Sequence, residues 1–502
     1  MNKRPQRIRI KNELGKLQSL PDGPTQYERL PGGSEVVILG VGPDPSELAL
    51  LAGSGKAVYV IEAPEYKGQM PPQWQAALPS HWKSIDPEDL DDDLLARAKI
   101  IIYLPAVRMF PTFWGRITGR CRWLKATSGV TPRPARTVIL PTTQADLLHN
   151  ELETALTGAG FEVLRLTPKA VGAELPAILR KQQPALFLSV NFRGLDPHGE
   201  VYHLLEAAGV TVCVWCVDNP FHLISGLRSP FWKQTHLAVT DSWFIDPLAR
   251  HGAQKLWHMP LATTPSLFAS PRQGNEDLSQ RIVFVGRSQF PWKNSFFAGC
   301  KVPRWQWETA EKLLRDGGRP DYAWWLERLD IWPLWPDKDS RRVGLGAEDA
   351  SRERRLACIE SAAALPMTVI GDSDWADLLP ASAELRPPVD YYGELPGIYA
   401  GAGWNLNVTS LLLPSGLTQR HFDVWAAGGL LLSDDTPGLS LFPEELTHEI
   451  SFARPVDIPK LAKRLAPGTA LREELIQAWR DEILTNHTYE VRTAALLDWL
   501  DT

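Results

Sequence analysis

Cysteine is scarce in this chain: five in 502 residues, at positions 121, 213, 216, 300 and 358. One C-x-x-C pair occurs, Cys213 and Cys216, and no second pair stands ready to complete a zinc site. The pair lies inside the apolar run TVCVWCVDN. That run reads as a buried strand, in which residues three apart point to opposite faces, so the two thiols are expected to pack rather than to react. A chain of this length buries enough surface to need no disulfide or metal staple. Long apolar runs are also missing. The longest, such as Lys99–Pro105, are of strand length, far below the ~20 residues of a membrane helix. The basic start MNKRPQRIRIKNELGKL has no apolar segment, so it is not a secretory signal, and a cytoplasmic protein is expected. Positive charge is not in excess either: 53 Lys and Arg face 59 Asp and Glu, a net charge of −6. Nucleic-acid partners call for a basic balance or face, and neither is present.

What is abundant is α/β grammar: short apolar strands, glycine-bearing loops and amphipathic helices in alternation. Hydrophobic residues make up 44% and charged residues 22%, as in packed globular proteins. Three segments carry the pattern. In the first, strands Val36–Leu39, Ala57–Ile61 and Lys99–Leu104 surround Gly40-Val-Gly42, and Glu62 closes the second strand. This is the layout of a mononucleotide-binding half, although the third glycine of the fingerprint is missing. The Pro-, Ser- and Gly-bearing stretch Thr127–Arg136 reads as a domain boundary. The second segment has strands at Thr137–Leu140, Phe161–Leu166, Ala185–Val190, Thr211–Val217, His236–Thr240 and Lys255–Pro260. The third starts at Arg281, with strands in IVFVGRS, Met367–Ile370, Val389–Gly393, Trp404–Val408 and Leu430–Ser433, and a helix over Thr418–Ala427. The predicted domains are 1–130, a Rossmann-like accessory domain; 131–270 and 271–485, two facing Rossmann-like domains; and 486–502, a C-terminal helix. An insertion at 290–355 carries many of the 20 tryptophans. It reads either as a wedge of packed helices or as a surface on which sugar rings stack.

Ligands of doubly wound sheets bind at the carboxyl ends of the strands, so the site is expected in the cleft between the two facing domains. Gly286 lets the chain turn close to a ligand after its strand. Arg287 and Lys293, on the loop that follows, supply a forked donor and a point charge suited to a diphosphate. Ser415 and Gly416 precede the helix bearing Arg420 and Asp423, and a helix N-terminus behind such a loop suits an anion. Arg420 and Asp423 are three apart and share a helix face. The Asp423 carboxylate is the candidate for two ribose hydroxyls, and Arg420 either meets phosphates or fixes Asp423. On the other side, Asn191, Asp218, His222 and Asp241 stand at strand ends. Asp218 closes the fourth strand, and His222, four residues on, has the side chain for a base near neutral pH. These two are the catalytic candidates.

Several stretches carry a family resemblance. Tyr392-Gly393-Glu394 through Asn405-Leu-Asn407 resembles the donor-domain signature of family-1 and family-4 glycosyltransferases. Arg420-His-Phe-Asp423-Val-Trp-Ala-Ala-Gly-Gly is similar to their Arg, aromatic, acid and glycine-turn signature. Asn486-His-Thr-Tyr489-Glu-Val-Arg492 and Cys216-Val-Asp218-Asn219-Pro220 resemble motifs of the CgeB-like, spore-maturation type of bacterial glycosyltransferase. The four stretches fall within 136–502; the first 130 residues and the tryptophan-rich insertion lie outside the pattern, and the family's usual glutamate is here Asp423. The resemblance implies the GT-B architecture and transfer of a sugar from a nucleotide-diphosphate sugar to an unidentified acceptor: a protein, a surface glycan or a small molecule. It implies no cofactor and no metal, basic groups holding the pyrophosphate instead. Asp372-Ser-Asp374 has the spelling of a metal motif but reads as a loop after a strand. Two alternatives remain open: a non-catalytic scaffold that binds sugar nucleotides or proteins, and a methyltransferase–glycosyltransferase fusion that uses the first domain.

Overall fold

The computed structural model describes residues 8–53, 57–269, 276–336 and 338–501; the expected domain boundary at 270 lies outside them. The fold is α/β, built on three sheets dominated by parallel strands. The described residues cluster into two compact units rather than three. The first comprises those of Met1–His149, Gly160–Val214 and Gly226–His236; the second, those of Asn150–Ala159, Trp215–Ser225 and Leu237–Thr502.

In the first unit, the five-stranded sheet runs Tyr27–Leu30, Lys99–Tyr103, Glu35–Leu39, Ala57–Ile61, Lys83–Ser84. Its outermost strand, Tyr27–Leu30, is antiparallel to Lys99–Tyr103, and the remaining pairs are parallel. The Thr127–Arg136 stretch does not separate units. The helix Pro111–Ala126 packs so closely on Glu200–Ala207 that a Cβ at Gly115 would sit 2.2 Å from the His203 ring, and one at Gly119 2.4 Å from the His203 carbonyl oxygen. The same unit holds the strands Glu162–Leu166, Arg133–Pro141 and Gln182–Val190, paired in parallel in that order. Thr211–Cys216 and His236–Val239 each start in the first unit and end in the second, which also holds the strand Lys255–His258. Cys213 and Cys216 are both buried in the strand Thr211–Cys216, as the apolar run predicts.

The second unit contains a complete doubly wound sheet, ordered Ala383–Arg386, Met367–Ile370, Ile282–Val285, Trp404–Asn407, Leu431–Asp434, Ser451–Phe452. All its pairs are parallel. Chain order runs outward from Ile282–Val285 in one direction and then from Trp404–Asn407 in the other. The topological switch point therefore lies between these two strands. Both faces are covered by helices, and residues such as Phe284, Met367, Leu406, Phe422, Trp425 and Trp479 form the core. The predicted strand Val389–Gly393 is a loop and turn; the edge strand is instead Ala383–Arg386, whose alternation of Glu384 and Arg386 hid it.

The tryptophan-rich insertion folds as the helices Lys293–Phe296, Arg304–Arg315 and Tyr322–Leu329, followed by the long helix Asp339–Ala362. Its predicted end at 355 falls inside that last helix. Trp325 and Trp335 are buried, which fits the packed wedge, whereas Trp292, Trp305 and Trp332 are exposed. Among the described residues no helix is long and apolar enough to cross a membrane.

Candidate functional site

A cavity of about 400 Å3 opens at the switch point of the second unit. Phe284 and Gly286 line it from the end of one central strand and Val408 from the end of the other. Gly286 is there for space: a Cβ would stand 3.1 Å from the Phe284 ring and 3.5 Å from Arg420 Nη1. The loop after it is fixed by Asp372, whose carboxylate accepts Ser288 N at 2.8 Å and Ser288 Oγ at 2.7 Å. The Asp372-Ser-Asp374 stretch is thus a brace of the Gly286–Ser288 turn.

Three guanidiniums, Arg287, Arg355 and Arg420, line the cavity against two carboxylates, Asp218 and Glu348. Arg420 is held by the carbonyl oxygen of Val285 and by Asn407 Oδ1 at 2.7 Å. Arg355, which no local motif announced, reaches in from the long helix and donates to the carbonyl oxygens of Ser288 at 2.8 Å and Arg287 at 3.2 Å. Burial holds both Arg355 and Arg420 below the ordinary arginine value. At Arg355 the Glu348 carboxylate opposes that shift and the Arg420 charge adds to it. Glu348 is itself pushed up by burial and accepts Phe290 N at 2.6 Å. Like charges sharing a cavity repel, and an anion between them would relieve that repulsion.

The structure divides the sequence candidates. Gly286, Arg287, Arg420, Asp218 and His222 line the cavity. Lys293 does not accompany Arg287 there: its ammonium is paired with Asp349. Ser415 and Gly416 lie next to the lining residues Leu413 and Thr418, but Ser415 N is taken by Asp241 Oδ2 at 2.9 Å and Gly416 N by the Leu413 carbonyl. The helix behind them spans only Arg420–Ala426, and Thr418 N donates to His421 Nδ1, so guanidiniums rather than a helix terminus offer the positive charge. Asp241, buried and pushed up to about 6 by its burial, anchors this loop.

His222 differs from its expected role. Its ring is caged by Phe296, Phe297 and Tyr322, with centroids at 5.1, 5.7 and 5.8 Å. Nε2 has no hydrogen-bond partner, and a Cβ on Gly344 would stand 2.0 Å from it. Burial pushes the imidazole down to about 3, which makes it a weak base at neutral pH. The signal for this cage lay in the insertion, remote in sequence from His222.

Asp423 also departs from expectation. It is fully buried, does not line the cavity and does not meet Arg420. Its carboxylate accepts Thr263 Oγ1 at 2.8 Å, Tyr391 OH at 2.8 Å and Gln419 Nε2 at 3.1 Å. The C-terminal motif buttresses this cluster: Tyr489 OH donates to Gln419 Oε1 at 3.0 Å, and Thr263 N donates to the His487 carbonyl at 3.0 Å. Burial pushes Asp423 up to about 8, from an ordinary 3.8. Between those values the folded state holds a proton that the unfolded chain releases, so stability falls as pH rises from about 4 to 8. Asp423→Asn, which carries no titrating proton, is expected to flatten this slope by up to about 1.4 kcal/mol per pH unit within that window. Denaturant midpoints from pH 4 to 8 measure it; an unchanged slope would show that Asp423 titrates normally.

The Gly40-Val-Gly42 loop of the first unit is filled by its own neighbours. Glu62 accepts Val41 N at 2.8 Å and Ala63 N at 3.0 Å, and Trp74 Nε1 donates to the Gly42 carbonyl at 2.7 Å. Tyr27 OH donates to the Val41 carbonyl at 2.8 Å, and a Cβ on Gly42 would stand 2.2 Å from that hydroxyl. The acid that would meet a ribose is thus used by the loop, and its burial pushes it up to about 8.

Residues 352–498 match the family model described as glycosyl transferase-like. No curated protein matches the chain. Similar solved structures include Anabaena Alr3699/HepE in complex with UDP and glucose, 8% identical with a TM-score of 0.44, covering 73% of this chain and 100% of that one. An alpha-glucosyltransferase in complex with UDP-glucose and DNA containing an abasic site is 10% identical, with a TM-score of 0.44 and coverage of 74% and 99%. Trehalose-6-phosphate from E. coli bound with UDP-2-fluoro glucose is 13% identical, with a TM-score of 0.41 and coverage of 74% and 99%.

Proposed function

We propose that the protein is a glycosyltransferase of the CgeB-like type, moving a sugar from a nucleoside-diphosphate donor to an acceptor hydroxyl. The observation that carries this reading is the pair Arg355 and Arg420, two desolvated cations sharing a cavity at the switch point of a doubly wound sheet. The match of residues 352–498 to a glycosyl transferase-like family supports it. The diphosphate lies against Arg355 and Arg420, with Arg287 at the exposed edge. In the reaction the bond between the anomeric carbon and the diphosphate oxygen breaks, and its electron pair stays with the leaving group. The guanidiniums stabilise that growing charge, the kind of preorganised term that dominates enzyme catalysis. The acceptor oxygen bonds to the anomeric carbon and gives up its proton. In this reading Asp218, exposed on the cavity wall, takes that proton, and His222, caged and neutral, does not.

Arginines in this role make a divalent ion unnecessary. Hydrolysis of UDP-, GDP- and TDP-glucose is therefore expected to proceed equally in excess EDTA and in magnesium or manganese. Turnover that disappears with chelation and returns with the metal would refute the metal-free reading. Absence of turnover with every donor, alongside tight binding of one nucleoside diphosphate, would favour a non-catalytic sugar-nucleotide scaffold.

A further inference from the structure

We propose that Trp292 is the platform on which the acceptor stacks, and that the acceptor is therefore a carbohydrate. This rests on the donor reading of the adjoining cavity. Phe290 and Pro291, immediately before Trp292, line that cavity. The indole itself is 86% exposed. Its backbone is left-handed, with φ 56° and ψ 28°, a conformation that disfavours bulky residues and that glycine adopts freely. The turn is nevertheless over-determined. The Trp292 carbonyl accepts Ser295 N at 3.0 Å, Phe296 N at 2.9 Å and Ser295 Oγ at 2.9 Å. On either side, Phe290 N is held by Glu348 and Lys293 by Asp349, two consecutive acids of the long helix.

The fold gains little from an indole here. It is left in water and imposes backbone strain, whereas strained residues held by their surroundings cluster at binding and active sites. The other two exposed tryptophans of the insertion differ. Trp305 is covered by Arg328 at 5.2 Å and Trp332 by Arg250 at 4.1 Å. Among the described residues Trp292 has no aromatic or cationic partner. A bare aromatic face, carried on a hydrogen-bonded turn next to residues that line the proposed donor cavity, suits the C–H face of a pyranose ring.

Saturation-transfer NMR on the full chain with maltotriose, cellotriose and chitotriose tests this, with nucleoside diphosphate titrated into the same samples. At least one trisaccharide is expected to receive saturation on its ring protons. Trp292→Ala should weaken that sugar's binding roughly tenfold, the scale of one aromatic stacking contact, and Trp292→Phe should retain most of it. Trp292→Gly should lose the sugar and melt no lower than the wild type, since glycine relieves the strained turn. No transfer to any sugar, an unchanged Trp292→Ala signal, or a clearly lower melt for Trp292→Gly would each overturn the proposal. Nucleotide binding without sugar binding removes only the platform; loss of nucleotide binding in the wild type removes the donor reading instead.

Discussion

Replacing Asp434 with alanine is expected to lower the unfolding free energy by about 3–5 kcal/mol. Asp434 ends a central strand and is fully buried. Its carboxylate accepts Arg319 Nη1 at 2.6 Å, Thr409 N at 2.7 Å and Thr409 Oγ1 at 2.8 Å, and Arg354 Nε lies 3.4 Å away. Burial alone would raise it, but Arg319 and Arg354 hold it below the usual carboxylate range. Arg319 belongs to the tryptophan-rich insertion, so this cluster ties the insertion to the sheet. Truncation to alanine leaves two desolvated guanidiniums without their counter-charge, the case in which breaking a buried ion pair is most costly. Asp434→Asn keeps an acceptor of the same shape and should fall between the alanine variant and the wild type. Because the folded value is depressed, the contribution is present at neutral pH and fades as pH falls through the folded value. Denaturant unfolding at pH 7 measures the loss, and a change under about 1 kcal/mol would mean the pair acts as a surface salt bridge does.

The second large effect concerns Arg420. Arg420→Ala is expected to lower kcat/KM for donor turnover by about 10²–10³, as when one preorganised donor to a developing charge is removed. It should weaken nucleoside diphosphate binding roughly ten- to a hundredfold, in line with loss of a charge-assisted hydrogen bond. Because Arg420 also pins Val285 and Asn407, a structural loss must be told apart from an electrostatic one. The affinity for the nucleoside without phosphates makes that distinction: it should stay within a few-fold of the wild type. Equal losses for nucleoside and diphosphate would assign Arg420 to holding the strand ends, not to the phosphates. Arg355→Ala should show the same selective pattern. Asp423→Asn should bind nucleoside diphosphate like the wild type, because its carboxylate is turned away from the cavity.

The central strands were legible because runs such as IVFV are apolar on both faces, the mark of a buried parallel strand. Edge strands were not: Tyr27–Leu30 and Ala383–Arg386 mix charge with apolar residues, so no apolar run marks them. Part of the candidate site was also legible, since Gly286, Arg287 and Arg420 sit at strand ends or on a motif helix and do line the cavity. Arg355 and Glu348 escaped notice because they lie in a charged helix with no distinguishing pattern; only its packing turns them inward. His222 and Asp423 carry the opposite lesson. Their chemistry was inferred from residue type and spacing, but their charge states are set by partners distant in sequence: Phe296, Phe297 and Tyr322 around one, Thr263 and Tyr391 around the other.

Hydrogen exchange with UDP, GDP and TDP added in turn tests the donor site most directly. At least one nucleotide is expected to slow exchange at the cavity's loops, residues 284–296 and 408–420, and Arg355→Ala to abolish this protection at the same nucleotide concentration. Protection confined to residues 34–125, around the Gly40-Val-Gly42 loop, would contradict it.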